Sequence, residues 1–180
     1  MPEIDIRPAI ETDIPEMLHF DHSFTSDHVW QMEYKIGDDQ TGAVFREMRL
    51  PRAVKVEYPR SPSLLADVLQ KRSGLLVAVL KGQAVGYASL AQESIPYTTW
   101  MTDLVVNYRF RRQGIGSALV LAAMDWMASK PGSQRLILEM QPKNRPAIQF
   151  AQKLGFDFCG FIDLYYPNQD PALLFARWLG

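Results

Sequence analysis

Arg111-Arg112-Gln113-Gly114-Ile115-Gly116-Ser117 stands between a β-rich run and an amphipathic helix, and its reading decides the fold. Upstream, Trp100-Met101-Thr102-Asp103-Leu104-Val105-Val106 has strand character and ends at the turn formers Asn107 and Tyr108. Downstream, Ile115, Leu119, Ala122, Ala123, Trp126 and Met127 recur at helical spacing. Gly114 and Gly116 therefore fall where a strand turns into a helix. Without side chains there, backbone N–H groups can approach a ligand. The first turn of a helix has unpaired N–H groups and carries roughly half a positive charge. Such a corner suits phosphate.

The glycines do not fit the commoner phosphate loops. No Gly-Lys-Ser/Thr follows, which excludes a P-loop. The dinucleotide pattern is missing its first glycine and its acidic ribose partner. What remains is [Arg/Gln]-x-x-G-x-[Gly/Ala], carried by Arg111, Gly114 and Gly116.

A second motif follows about thirty residues later, after the β-rich Arg135-Leu136-Ile137-Leu138-Glu139-Met140. Asn144-Arg145-Pro146-Ala147-Ile148-Gln149-Phe150-Ala151-Gln152-Lys153-Leu154-Gly155-Phe156 reads as a short helix. Asn144 is its N-cap, Pro146 sits in its first turn, and Gly155 ends it. The two motifs, in this order, resemble those of the GNAT superfamily of N-acetyltransferases. The run from Glu139 to Asn144, the segment Gly160-Phe161-Ile162-Asp163-Leu164-Tyr165-Tyr166 and the closing Ala172–Trp178 strand are similar to the streptothricin acetyltransferase branch. The likeness covers roughly residues 74 to 180.

The rest of the chain agrees with one globular α/β domain over residues 1–180. The chain is 47% apolar and 22% charged, with net charge −1, which gives no electrostatic ground for a nucleic-acid partner. Apolar runs such as Leu75 to Leu80 are too short to cross a bilayer, so no membrane association is expected. Met1-Pro2-Glu3-Ile4-Asp5 has no secretory pattern, and a single cysteine fits a reducing compartment, so the cytoplasm is the expected location. Cys159 is read as an inert core thiol.

Along the chain, Ile4–Arg7 alternates like a strand, and Thr12-Asp13-Ile14-Pro15 starts a helix reaching about Phe20 or His22. Ser26–Trp30 begins a short helix or a loop. Val44–Leu50 and Val54–Tyr58 form a hairpin bounded by prolines, and Ser63–Lys71 a short helix. Leu75–Leu80 and Ala84–Glu93 pair about a Lys81-Gly82-Gln83 turn. Residues 1–73 form the acceptor side, with an extra β-rich segment at about 41–59 that shapes the acceptor pocket or a homodimer contact.

The resemblance implies a mixed, mostly antiparallel sheet with helices on both faces and a splay between the family's fourth and fifth strands. Residues 74–180 form the acetyl-CoA-binding core. Leu104, Val105 and Val106 offer main-chain groups to pantetheine. Arg111, Arg112, Gln113, Gly114, Ile115, Gly116 and Ser117 wrap the pyrophosphate. Asn144 meets the pantetheine arm, and Phe150 and Lys153 line the far side of the cofactor. His28, Trp30 and Tyr34 fall where the family's first helices roof the acceptor pocket.

The implied chemistry is attack of an amine on a thioester. An amine of pKa about 10.4 is neutral in roughly one molecule per thousand near pH 7.4, a handicap of about 4 kcal/mol. A general base recovers part of it, typically 10²–10⁴-fold. Asp103 is the first candidate, Glu139 the second and Glu93 the third. Many family members carry a tyrosine that protonates the leaving sulfur, and here that position is Ala151. Tyr165 or Tyr166 is the substitute. A thiol of pKa near 8.5 leaves with little help, so the acid matters less than the base. His19, His22 and His28 do not make a supported metal-ligand set, and no metal is expected. The expected function is acetyl transfer from acetyl-CoA to a small-molecule primary amine. A protein or peptide N-acetyltransferase and a weakly catalytic acyl-CoA sensor are the alternatives.

Overall fold

Lys81 and Gly82 both adopt positive φ, 50° and 82°, and close a two-residue turn between strands β4 (Gly74–Leu80) and β5 (Gln83–Ala91). That backbone twist matches the twist of the paired strands. The computed structural model describes residues 4–71, 73–92 and 96–179. Around this hairpin, β1 (Ile4–Pro8), β6 (Thr98–Val106), β7 (Arg135–Met140), β8 (Asp157–Ile162) and β9 (Ala172–Trp178) complete a seven-stranded sheet. Its order is β1-β4-β5-β6-β7-β9-β8, and every pairing is antiparallel except β6 with β7.

A parallel pair needs a crossover, supplied here by helix α3 (Ile115–Ala128). α3 buries Ile115, Leu119, Val120, Ala123 and Met127, close to the stripe expected from the sequence. These residues join Leu76 and Ala78 of β4 and Ile148 and Ala151 of α4 (Arg145–Lys153) in the main core. The alternate residues Leu75 and Val77 face the other way, against α1 (Ile14–Leu18) and α2 (Leu65–Lys71). Helices thus cover both faces, as expected. No helix among the described residues is long and apolar enough to cross a membrane.

The N-terminal third departs from the sequence reading. Ser26–Trp30 is not a helix or loop. It lies within β2 (Phe24–Ile36), which pairs with the long β3 (Thr41–Val56) as a separate ribbon. Val44–Leu50 and Val54–Val56 are consecutive parts of β3, not two arms of a hairpin. The register jumps from Ser26↔Val54 to His28↔Arg49, so Leu50–Ala53 bulges around Pro51 opposite Asp27. Both strands of a lone ribbon are edges, where a proline without an N–H is tolerated. α1 stops at Leu18 rather than Phe20 or His22. Cys159 is exposed on edge strand β8 rather than in the core. Phe45 packs on Phe158 and Phe161 and Trp30 on Phe175, which fixes the ribbon to the β8–β9 edge.

Candidate active site

β6 and β7 pair from Thr98↔Arg135 to Met101↔Leu138 and then separate. On its other side β6 stays paired with β5 as far as Val106. The stretch Thr102–Val106 therefore has backbone groups without a β7 partner. Thr102 and Leu104 line a cleft that opens to solvent, together with Leu138, Met140, Asn144, Ala147 and Phe150 among others. An amide-bearing chain laid into such a gap can pair with strand backbone as another strand does. This is the splay the resemblance implied, between strands β6 and β7 here.

The glycine loop adjoins it. Arg112 has φ 66° and Gly114 φ 85°, and Gly114 is the N-cap of α3. The first backbone hydrogen bond that Gly114 accepts comes from Ala118, leaving the N–H groups of Ile115, Gly116 and Ser117 without an intrahelical acceptor. A Cβ on Gly116 would stand 3.5 Å from Phe150 and 3.9 Å from Val106, so loop and splay are contiguous. Unpaired amides at a helix N-terminus beside a strand edge that β7 has left fit the diphosphate and the amide arm of acetyl-CoA. When bound, that molecule supplies the thioester whose acetyl group is transferred.

The expected cofactor residues divide. Leu104, Asn144 and Phe150 line the cleft. Asn144 also caps α4, its Oδ1 accepting from Ala147 N at 3.2 Å. Val105 is buried on the α1–α2 face and Ile115 in the main core, so their main-chain groups are what they can offer. Arg112, Gln113 and Lys153 are exposed. Arg111 is already occupied: its guanidinium donates to the carbonyls of Val106 (2.9 Å), Ser23 (3.0 Å) and Asp21 (2.9 Å).

At the splay a polar cluster gathers Tyr58, Arg60, Asp103, Glu139, Tyr165 and Tyr166. Tyr58 Oη donates to Asp103 Oδ1, and Thr102 Oγ1 donates to Asp103 Oδ2 at 2.8 Å. Arg60 donates to Thr102 O at 2.8 Å, to Asp103 Oδ1 at 3.3 Å and to Glu139 Oε1. Tyr165 Oη donates to Glu139 Oε2 at 3.0 Å, and Tyr166 Oη to Oε1 at 3.4 Å. Burial raises the Glu139 carboxyl above the ordinary carboxylate range, opposed by Arg60. Burial, with Asp103 beside it, raises the Tyr58 phenol well above its usual value. Asp103 and Glu139, the first two candidate bases, are thus brought together. Glu93, the third, lies outside the described residues.

His28, Trp30 and Tyr34 are not among the residues lining the cleft. They sit on β2, where His28 pairs with Asp27, Trp30 packs on Phe175, and Tyr34 donates to Asp163 at 2.6 Å. The residues lining the cleft from the acceptor half are Tyr58, Pro59 and Arg60, of which Tyr58 and Arg60 carry polar side chains. Sequence reasoning passed over both. Their signal was Tyr58-Pro59-Arg60-Ser61-Pro62, a stiff, proline-flanked arginine just ahead of a helix. Ala151 is fully buried and does not line the cleft.

The family model described as "Acetyltransferase (GNAT) family" matches residues 41–156, and so takes in the segment that had no expected counterpart. A streptothricin acetyltransferase of Streptomyces lavendulae is 30% identical over 167 residues, covering 90% of this chain and 86% of that protein. An N-alpha-acetyltransferase of Sulfurisphaera tokodaii is 27% identical over 155 residues, covering 80% and 92%. Among solved structures, a nourseothricin acetyltransferase superposes with TM-score 0.80 at 23% identity, covering 98% of this chain and 99% of that one. A Bacillus anthracis chain assigned as a streptothricin acetyltransferase, solved with acetyl coenzyme A, gives 0.77 at 21%, covering 98% and 100%. With the splay, the glycine corner and these likenesses together, the chain belongs to the GNAT acetyltransferase family, as an acetyl-CoA-dependent N-acetyltransferase with the pattern of the streptothricin acetyltransferase branch.

Proposed function

We propose that the chain acetylates a primary amine of a small molecule. The observation that carries this reading is the pair of carboxylates, Asp103 and Glu139, held with phenols where the strands part. An ammonium group entering there meets negative charge and a proton acceptor in one place. Asp103 is the base that takes its proton, and Tyr165, exposed and bonded to Glu139, is the phenol available to the leaving thiolate. Leu104, Asn144 and Phe150 hold the amide arm, while the Ile115–Ser117 amides, Arg112 and Lys153 serve the phosphates. The streptothricin-branch likeness favours an antibiotic or another cationic amine. An expected cytoplasmic location suits use of acetyl-CoA.

A second reading, acetylation of a protein N-terminal amine, is supported by the N-alpha-acetyltransferase relative, 92% of which is covered. Thiol release from acetyl-CoA separates the two, measured against streptothricin, a polyamine, free amino acids and an N-terminal peptide. Turnover on the small amines supports the first. Turnover confined to the peptide overturns it in favour of the second.

A further inference from the structure

The cluster contains a cation that acetyl transfer does not itself require. Arg60 bonds Thr102 O and Asp103 on β6 and also Glu139 on β7. It therefore makes a side-chain rung across the splay, just beyond Met101↔Leu138, where the backbone ladder has stopped. Its guanidinium also lies 5.6 Å from the Tyr166 ring centre and 6.0 Å from that of Tyr165. The Glu139 side chain is fully buried and that of Asp103 is 6% exposed, whereas Arg60 keeps 24%. Buried carboxylates this close would take up a proton unless a cation met them. One guanidinium against two carboxylates leaves a single negative charge.

We propose that Arg60 is a positioning residue for the transfer: acting through Asp103 and Glu139, it holds the two carboxylates fixed in the splay and offsets part of their charge, so that the cleft receives an acceptor whose reacting end is one ammonium group. The proposal rests on the amine-acetyltransferase reading above. The groups facing Glu139 are Arg60, Tyr165, Tyr166 and, across the gap, Asp103. Those facing Asp103 are Tyr58, Thr102, Arg60, Tyr87, His22 and, across the gap, Glu139. Burial raises the Glu139 carboxyl and Arg60 opposes it, so removing Arg60 leaves the rise unopposed.

The test uses the full chain with Arg60→Ala and Arg60→Lys. Three quantities are read: kcat and KM for the amine acetylated fastest, across pH; calorimetric binding of acetyl-CoA; and the ¹³C-carboxyl titration of Glu139 without substrate, assigned with Glu139→Gln. In Arg60→Ala we expect kcat/KM to fall about 50-fold and its acidic limb to move up by about one pH unit. The Glu139 titration should move the same way, with acetyl-CoA affinity held within about threefold. Arg60→Lys keeps the charge but lacks the fork that spans both strands. It should restore the limb and only part of kcat. An unmoved limb and titration in Arg60→Ala overturn the proposal, as does a kcat/KM equal to or above that of the parent, which would make Arg60 an obstacle. Should Arg60→Ala fail to fold, Arg60→Met and Arg60→Lys decide by the same titration. If the parent acetylates no amine yet Glu139 shifts as expected, the functional reading fails and the electrostatic role of Arg60 stands.

Discussion

Met101 and Leu138 are the last residues at which β6 and β7 stay in register, and the candidate chemistry lies immediately beyond them. Thr102 and Leu104 line the cleft from one strand, with Asp103 between them bonded to Tyr58 and Arg60, and Glu139, Met140 and Gln141 line it from the other side. Parallel pairing thus makes the cleft by stopping, with the crossover helix α3 beginning at the glycine corner next to it.

Coenzyme A should therefore protect a defined set of amides. Hydrogen exchange should slow in residues 104–106 and 114–118, while 135–138, already paired with β6 and β9, should change little. Mass spectrometry with and without coenzyme A measures this. Protection confined to other segments would move the cofactor elsewhere.

Arg111 and Arg112, adjacent in sequence, should separate cleanly. Arg111 ties three carbonyls, from Asp21, Ser23 and Val106, and is half-buried. Arg111→Ala leaves them without that donor and should cost about 1–3 kcal/mol of stability. Arg112 is exposed, so Arg112→Ala should leave the melting temperature within a degree or two yet weaken coenzyme A several-fold, about tenfold at low salt. Thermal unfolding and calorimetry at two salt concentrations read both effects.

The same pair shows what a sequence can reveal. Local signals carried the C-terminal half: the Lys81-Gly82 turn, the α3 stripe, the Asn144 cap and the two motifs all formed as expected. Each depends on neighbours within a few residues. The ribbon was misread because Ser26–Trp30 and Leu50–Ala53 are shaped by pairing 17 to 28 positions away, and Pro51 looked like a boundary. The division of labour between Arg111 and Arg112 depends on the carbonyls of Asp21 and Ser23, some ninety positions upstream. Tyr58 reaches Asp103 over 45 positions and Arg60 reaches Glu139 over 79, and no local pattern announces them.

Asp103→Asn tests the base. The amide can still accept from Tyr58, and Arg60 keeps Glu139, so the fold should survive. kcat should drop about 10²–10⁴-fold with coenzyme A affinity unchanged. Tyr165→Phe should lose less than about tenfold, because the thiolate departs readily. Equal losses from both would place the proton transfer on Glu139 rather than Asp103.

His22 should make stability depend on pH. It is buried, with Nδ1 2.7 Å from Phe20 O and Nε2 3.0 Å from Tyr87 Oη, an arrangement that suits the neutral ring. Burial depresses its pKa below 6.5. The unfolded chain then binds the proton more readily than the folded one. The contribution of His22 is complete above pH 6.5 and is lost as pH falls from there through the depressed value, at about 1.4 kcal/mol per unit of depression. Urea unfolding at pH 7.5 and 5.5 should show a smaller difference in His22→Gln than in the parent. An unchanged difference would mean the ring is not held neutral.

Ala151 occupies the position where the family resemblance would put a tyrosine acid, and its surroundings argue against restoring one. Its side chain has no exposure and belongs to the core that α3 and α4 share, while the cleft is lined from the same helix by Ala147 and Phe150. Its carbonyl accepts from Leu154 N and Phe156 N, so the backbone has little room to yield. A phenol there must displace packed side chains, which costs about 1–3 kcal/mol. Ala151→Tyr should accordingly melt several degrees lower and turn over no faster. The phenols facing the splay, Tyr58, Tyr165 and Tyr166, come instead from the segment after the ribbon and the one after β8. A variant that keeps its melting temperature and gains turnover would show that position 151 opens toward the cleft and that the acid belongs on α4 after all.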